Sequence, residues 1–272
     1  MMGRISENVK KRKFDKIVDD IKNVRIQGAT NIAISALRAY LLVPAKKSKK
    51  ALMSLRVTEP LMFNFLKKAD ETPGRELLWH IKYSKRVIGK NFLKILGGRR
   101  KIIFTHCHST TVIESMAYAR KMKKNFEVYN TETRPLYQGR RTSKDLKRLG
   151  IKNTMFVDSG MHGAIEISDI VVLGADALLR KGVINKIGSA AVGEIAKVHR
   201  KPVYILADSW KFFPKSIRIE ERDFREVWKK SPKTLKVRNP AFELLPKKYI
   251  TKIISELGIM GYDEFLKKVA KS

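Results

Sequence analysis

The sequence predicts an α/β protein, with an N-terminal helical domain over residues 1–97 and a Rossmann-like, doubly wound parallel sheet over residues 98–272. Three observations predict it. From Ile5 to Gly97 apolar residues recur at three- and four-residue steps, as in Ile17, Ile21, Val24 and then Leu37, Leu41, Leu42, the period of a helix with one buried face. Gly97-Gly98-Arg99-Arg100 breaks that period. Beyond it, short β-branched runs alternate with amphipathic stretches, the pattern of strands joined by crossover helices.

Taken in order, the helical part reads as four or five helices joined by polar turns. Lys46-Lys47-Ser48-Lys49-Lys50 and Glu71-Thr72-Pro73-Gly74 supply the interruptions. The second part offers strands at 101–107, 126–132, 154–158, 170–176 and 202–208. Helices are expected at 110–123, at 143–149 with Gly150 as the stop, and at 189–198. Crossovers of these lengths place the strands parallel. The tail from Lys211 holds Ile217 to Arg222, then Asn239-Pro240-Ala241-Phe242, and a final helix from Glu264, and it completes the second domain.

Composition narrows the class. Hydrophobic residues make up 43% of the 272 residues and charged residues 31%, a balance that excludes disordered and collagen-like chains. The net charge is +32, from 58 Lys and Arg against 26 Asp and Glu; a nucleic-acid surface, an anionic small substrate and a salt-rich or host-associated cytoplasm all produce such a value, and charge alone does not choose among them. The excess is spread evenly along the chain, and no motif assigns it to nucleic acid. A single cysteine, Cys107, rules out an intrachain disulfide framework and argues for a reducing cytoplasm. The most apolar early stretch, 33–45, is broken by Arg38 and Pro44 and is shorter than the roughly 18 to 20 residues of a membrane span. The first residues lack the apolar core of a signal peptide.

In an open α/β sheet the ligand sits beyond the carboxyl ends of the strands. Those ends read Thr105-His106-Cys107-His108-Ser109, Thr131-Glu132-Thr133-Arg134-Pro135, Asp158-Ser159, Gly174-Ala175-Asp176 and Ala207-Asp208-Ser209. Cys107 precedes a helix, where amides and cations would lower its pKa toward the thiolate; a buried, inert side chain is the other reading. His106 and His108 would alternate with Cys107 across a strand and so share no metal ion with it, and no other Cys or His cluster offers ligands. Asp176 either caps the next turn or carries chemistry with a raised pKa. Asn185-Lys186-Ile187-Gly188-Ser189 leads into a helix and is either a plain turn or a phosphate site, with Gln27-Gly28-Ala29-Thr30 a weaker version. Arg56 and Lys211 add phosphate donors if the domains face each other. No dinucleotide-binding glycine fingerprint, Walker sequence or nucleophile elbow is present.

Several of these motifs occur together in one known order. Ile26-Gln27-Gly28-Ala29-Thr30, Arg56-Val57-Thr58-Glu59-Pro60, Thr105-His106-Cys107-His108-Ser109, Glu132-Thr133-Arg134-Pro135 with Gln138-Gly139, Gly174-Ala175-Asp176 and Asn185-Lys186-Ile187-Gly188 span nearly the whole chain. The sequence resembles the superfamily of translation initiation factor 2B regulatory subunits and related sugar-phosphate isomerases. Ile219-Glu220-Glu221-Arg222 and Val237-Arg238-Asn239-Pro240-Ala241-Phe242 are most similar to archaeal ribose 1,5-bisphosphate isomerase.

The resemblance implies an aldose–ketose isomerase of nucleotide (AMP) salvage that turns ribose 1,5-bisphosphate into ribulose 1,5-bisphosphate without metal or cofactor. It gives Asp176 the role of acid in ring opening and Cys107 that of proton carrier between adjacent carbons. It assigns substrate phosphate to Gly28, Ala29, Thr30, Arg56, Ser109, Thr110, Thr111, Asn185, Lys186 and Lys211, donors enough for two phosphates. It also implies a homodimer or hexamer. The superfamily holds two alternatives, a non-catalytic regulatory subunit that binds initiation factor 2 and a methylthioribose 1-phosphate isomerase. Gln27 stands where the isomerases usually carry Arg, and His108 where they commonly carry Asn.

Overall fold

A computed structural model describes residues 6–56 and 58–271. The N-terminal residues to Ile5, where the helical reading begins, and Val57 of the Arg56 to Pro60 motif lie outside the described residues. Five helices precede the first strand: α1 (Glu7–Lys22), α2 (Ala29–Leu42), α3 (Lys46–Ser54), α4 (Pro60–Lys68) and α5 (Gly74–Leu96). Their shared core includes Ile21, Ile32, Leu37, Leu52, Phe65 and Leu77, all fully buried. The lysine-rich run 46–50 is helix α3, not a polar turn. Lysine is a good helix former, and Ser48 and Leu52 turn inward four residues apart while Lys46, Lys47 and Lys50 stay in water.

The remaining elements are β1 (Lys101–Thr105), α6 (Thr110–Lys121), β2 (Phe126–Thr131), α7 (Gln138–Arg148), β3 (Asn153–Phe156), α8 (Met161–Glu166) and β4 (Ile170–Leu173). Then come β5 (Ala177–Leu179), β6 (Gly182–Lys186), α9 (Ser189–Val198), β7 (Val203–Leu206), β8 (Phe242–Pro246), β9 (Lys252–Ser255), β10 (Gly258–Met260) and α10 (Tyr262–Val269). The seven-stranded sheet has the order β10-β9-β7-β4-β1-β2-β3, and every pairing is parallel except β9 with β10. Chain order reverses between β1 and β4, the switch point at which a doubly wound sheet opens a crevice.

The expected strands are present but shorter, and the structure adds what periodicity hid. The run 170–176 is not one strand: β4 stops at Leu173, and the chain turns into the hairpin β5–β6. That hairpin pairs with β8 in a second, three-stranded antiparallel sheet. α7 begins at Gln138, five residues before the expected start, and α10 at Tyr262. β9 and β10 emerge from the tail, whose local sequence does not distinguish strand from loop.

The central strands of the main sheet are buried on both faces. Phe104, Val171, Leu173 and Ile205 pack on one side. Ile103, Val172, Leu206 and Ile254 pack on the other, against Met116 of α6 and Ile88, Phe92 and Leu96 of α5. The far half of α5 is therefore built into the sheet's core, while its near half closes the helical cluster. Its Asn91 side-chain amide donates to the Ser255 carbonyl at 2.9 Å, fixing the register of helix on sheet. Among the described residues no helix is long and apolar enough to cross a membrane.

Phe92 is fully buried at this junction, so Phe92→Ala should cost about 3–5 kcal/mol. A urea titration checks it through a lower midpoint at unchanged slope.

Candidate active site

The site begins where β1 ends. The strand stops at Thr105, and Cys107 adopts a left-handed backbone with φ of 68°. A non-glycine residue there needs support. The Cys107 N–H donates to the Thr133 hydroxyl at 3.0 Å, and its carbonyl accepts from the Thr142 hydroxyl at 2.8 Å. Thr133 is itself placed by Asp158, whose carboxylate accepts the N–H groups of Thr133 and Arg134 at 2.8 and 2.7 Å. His106 is buried, with Nε2 at 2.8 Å from the Ile187 carbonyl and Nδ1 at 2.6 Å from the Thr131 hydroxyl. Nε2 therefore carries the proton, and burial holds the ring neutral. Because the strand has ended, strand alternation does not apply here, and His106, Cys107 and His108 all reach one cleft. His106 is unavailable to a metal since both its nitrogens are taken, and His108 Nε2 is turned to Asp145 at 2.9 Å.

β4 supplies the opposite wall. A Cβ at Gly174 would lie 2.3 Å from Ser109 Oγ, so only glycine lets the N-cap of α6 sit over β4. Gly188, with φ of 101°, allows the backbone to pass His106, where a Cβ would lie 2.9 Å from Nε2. The cleft between these walls encloses about 970 Å³ of space, part of it open to solvent. Five basic side chains line it, Arg56, Arg141, Lys186, Lys211 and Arg222, against the two carboxyl groups of Glu59 and Asp176.

Electrostatics within the cleft are set by burial. Asp176 makes no side-chain cap; burial pushes its carboxyl up, with Lys211, Arg56 and Lys186 pulling the other way. Glu59, 1% exposed, is pushed up to about 8, first by burial and then by the charge of Asp176. The Cys107 thiol is pushed up to about 12 by burial, against the His108 amide and the Lys186 charge. The expectation of a lowered thiol pKa is thus corrected, because desolvation outweighs the single nearby ammonium. Burial also lowers Lys186. Arg56 is 7% exposed, and its Nε and Nη1 have no partner among the described residues, nor has Oε2 of Glu59. Its Nη2 lies 3.3 Å from Glu220.

Of the residues singled out from sequence, Gly28, Ala29, Arg56, Cys107, Ser109, Thr110, Asp176, Asn185, Lys186 and Lys211 line this cleft. Thr30 and Thr111 do not: each lies one residue further into its helix and is buried there. The α9 N-terminus is no open anion site, because the N–H groups of Gly188 and Ala190 donate to Glu243 Oε1 at 2.7 and 2.8 Å. The amide of Asn185 donates to Ser189 at 2.9 Å. Lys186 reaches the cleft from strand β6. Sequence reasoning gave no role to Glu59, Arg141 or Arg222, although Glu59 and Arg222 stand inside the quoted motifs.

A second group of titratable side chains, not singled out from the sequence, contains one histidine. His80, Asp208 and Glu256 bring ligand atoms within 4.8 Å of one another at the junction of α5 with the ends of β7 and β9. These groups satisfy one another and the backbone: His80 Nε2 lies 3.1 Å from both Asp208 oxygens, and Glu256 accepts the Ser209 N–H at 3.1 Å. The His80 ring stacks on Trp210 at 3.6 Å.

Residues 50–261 match the Initiation factor 2 subunit family. A ribose 1,5-bisphosphate isomerase of Methanocaldococcus jannaschii is 35% identical, over 96% of this chain and 94% of its own length. The crystal structure of the translation initiation factor eIF-2B of Pyrococcus horikoshii superposes with a TM-score of 0.79 at 25% identity, covering 91% of this chain and 96% of the other. A 5-methylthioribose 1-phosphate isomerase from the same organism superposes with a TM-score of 0.77 at 23% identity, covering 95% and 87%, a likeness of fold alone.

A thiol held near 12 is almost wholly protonated at neutral pH. Iodoacetamide should alkylate Cys107 more than about 100-fold slower than free cysteine at pH 7.5, with a rate still rising above pH 10. Lys186→Ala should slow it further, and a mass-spectrometric time course reads both.

Proposed function

The chain belongs to the Initiation factor 2 subunit family, and from that premise we propose that it is a sugar-phosphate aldose–ketose isomerase acting on ribose 1,5-bisphosphate. The observation that carries the proposal is the buried guanidinium of Arg56. Its two unpartnered N–H positions face a need for an anion, in the same cleft as a proton-holding carboxyl group and a thiol. The similarity to the Methanocaldococcus isomerase supports the choice of substrate.

In this reading the phosphates are held by Arg56, Lys186 and Lys211 and by the N-termini of α2 and α6, whose N-cap residues Gly28 and Ser109 lie on the cleft. Asp176, whose carboxyl burial pushes up, gives its proton to the ring oxygen as the bond from that oxygen to C1 breaks. Cys107, as thiolate, takes the hydrogen of C2, leaving a C1=C2 enol phosphate. The proton passes from sulfur to C1, and the C2 hydroxyl returns its own proton to Asp176 as it becomes the ketone. Both groups end as they began. Glu59, with one oxygen unpaired, takes a sugar hydroxyl and orients the ring. A regulatory role toward initiation factor 2 is the second reading, favoured by Gln27 in place of the isomerases' arginine.

The direct test is turnover of ribose 1,5-bisphosphate by the purified protein, followed by phosphorus NMR, with the methylthio sugar phosphate as comparison. Cys107→Ser and Asp176→Asn should each lower kcat by about 10²–10⁴-fold at unchanged stability. Phosphate binding without turnover of this sugar overturns the proposal in favour of the regulatory reading.

Two further outcomes are specific to this geometry. Since the thiolate is the minor form up to about pH 12, its population grows tenfold per pH unit, and in Asp176→Asn, where the acid no longer titrates, the residual kcat/KM should rise with pH from 6 to 9. Glu59→Gln keeps the shape of the cleft but alters the hydroxyl contact, so KM should rise about tenfold with kcat little changed.

A further inference from the structure

The cleft accounts for five basic side chains of 58, and the outward face of α5 gathers another five in a single stripe. Arg75, Lys82, Arg86, Lys90 and Lys94 are all exposed. At 100° per residue they fall within about one third of the helix circumference. None of the five has an ion pair or side-chain hydrogen bond among the described residues; the sixth basic residue of the helix, Lys85, is paired with Glu114 at 2.7 Å. The only acid on α5 is Glu76, in its first turn. From Lys82 to Lys94 the cations recur every fourth residue, a rise of about 6 Å per step.

Two aromatic rings lie within the same stripe. Trp79 is 62% exposed and Tyr83 43% exposed, and their rings stack at 5.1 Å with planes 15° apart. A solvated helix face accounts for the lysines but not for a parallel pair of exposed rings one turn apart. Cations in a regular row beside an open π-face fit a flexible polyanion that carries stackable bases, and not a rigid duplex, whose bases are already stacked within it.

We propose that the outer face of α5 binds single-stranded nucleic acid, with a base stacking on the Trp79–Tyr83 pair and successive phosphates following Lys82, Arg86, Lys90 and Lys94. The surface lies on the far side of α5 from its buried contacts with the sheet, so it operates independently of the cleft chemistry. RNA and DNA share the backbone and bases it would recognise.

The test is fluorescence anisotropy with a labelled 20-nucleotide single strand, as RNA and as DNA, and with the corresponding duplex, across a salt series. The variant Trp79→Ala/Tyr83→Ala should weaken single-strand binding about tenfold or more while leaving the salt slope unchanged. The variant Lys82→Ala/Arg86→Ala/Lys90→Ala should make the slope of log K against log salt shallower by about 2. Lys46→Ala/Lys47→Ala/Lys50→Ala on α3 removes the same charge elsewhere and should alter affinity less than threefold. Urea midpoints confirm that each variant is folded. The proposal is overturned if the α3 variant weakens binding as much as the α5 variant, since net charge alone then explains it. It is also overturned if the duplex binds as well as the single strand and the aromatic variant is neutral, or if Trp79→Ala changes only the oligomeric state.

Discussion

A guanidinium shut away from water with two of its faces unpaired imposes a constraint on everything around it. Arg56 enters the cleft from the segment between α3 and α4, and no described side chain satisfies its Nε or Nη1. The neighbouring carboxylates do not do so: Glu220 meets only Nη2, and Glu59 stands 4.0 Å away. Leaving such groups dry costs free energy that an anion would offset. Two more cations lie across the cleft: Lys186 and Lys211 are buried at 5% and 4% exposure, and the Lys211 ammonium donates to the Ala175 carbonyl at 2.6 Å. Helical cluster and sheet thus meet over a volume of positive potential that, under the proposed function, a phosphorylated ligand would complete.

That potential is balanced by groups pushed toward neutrality. Burial raises Asp176, Glu59 and Cys107 together, and the charge of Asp176 raises Glu59 further. A carboxyl group that keeps its proton is a ready acid, and a thiol that keeps its own is a reluctant base. In the proposed isomerase, ring opening would therefore come first, and proton removal from carbon would be the step that depends on cations such as Lys186. What holds the thiol in position is backbone chemistry, through Thr133 and Thr142 on one residue in a left-handed conformation.

The organisation along the chain was legible in the sequence because it rests on periodicity. Helical spacing before Gly97 and β-branched runs after it appear as five helices and a doubly wound sheet. Less legible was any element whose pattern is shared with another. The lysine run of α3 has the composition of a turn and the propensity of a helix. The hairpin β5–β6 follows β4 closely, with Gly174, Ala175 and Asp176 between β4 and β5 and only Arg180-Lys181 between β5 and β6. β9 and β10 are strands chiefly because β7 offers an edge to pair with.

For the site, the sequence by itself determined which chemistry is on hand: one thiol, a carboxyl group ending a buried strand, and basic side chains in recognisable motifs. Residue identity and strand-end position are local facts that a sequence carries. Only the tertiary structure decided that Glu59, Arg141 and Arg222 join that set and that Thr30 and Thr111 leave it. It also gave the α9 amides to Glu243, and it raised the Cys107 pKa where a helix start alone argues for lowering it. Those outcomes depend on how much water each group loses and which partner reaches it first, and both are set by chain segments far apart in sequence, 55 and 53 residues apart for Glu243 and the α9 amides.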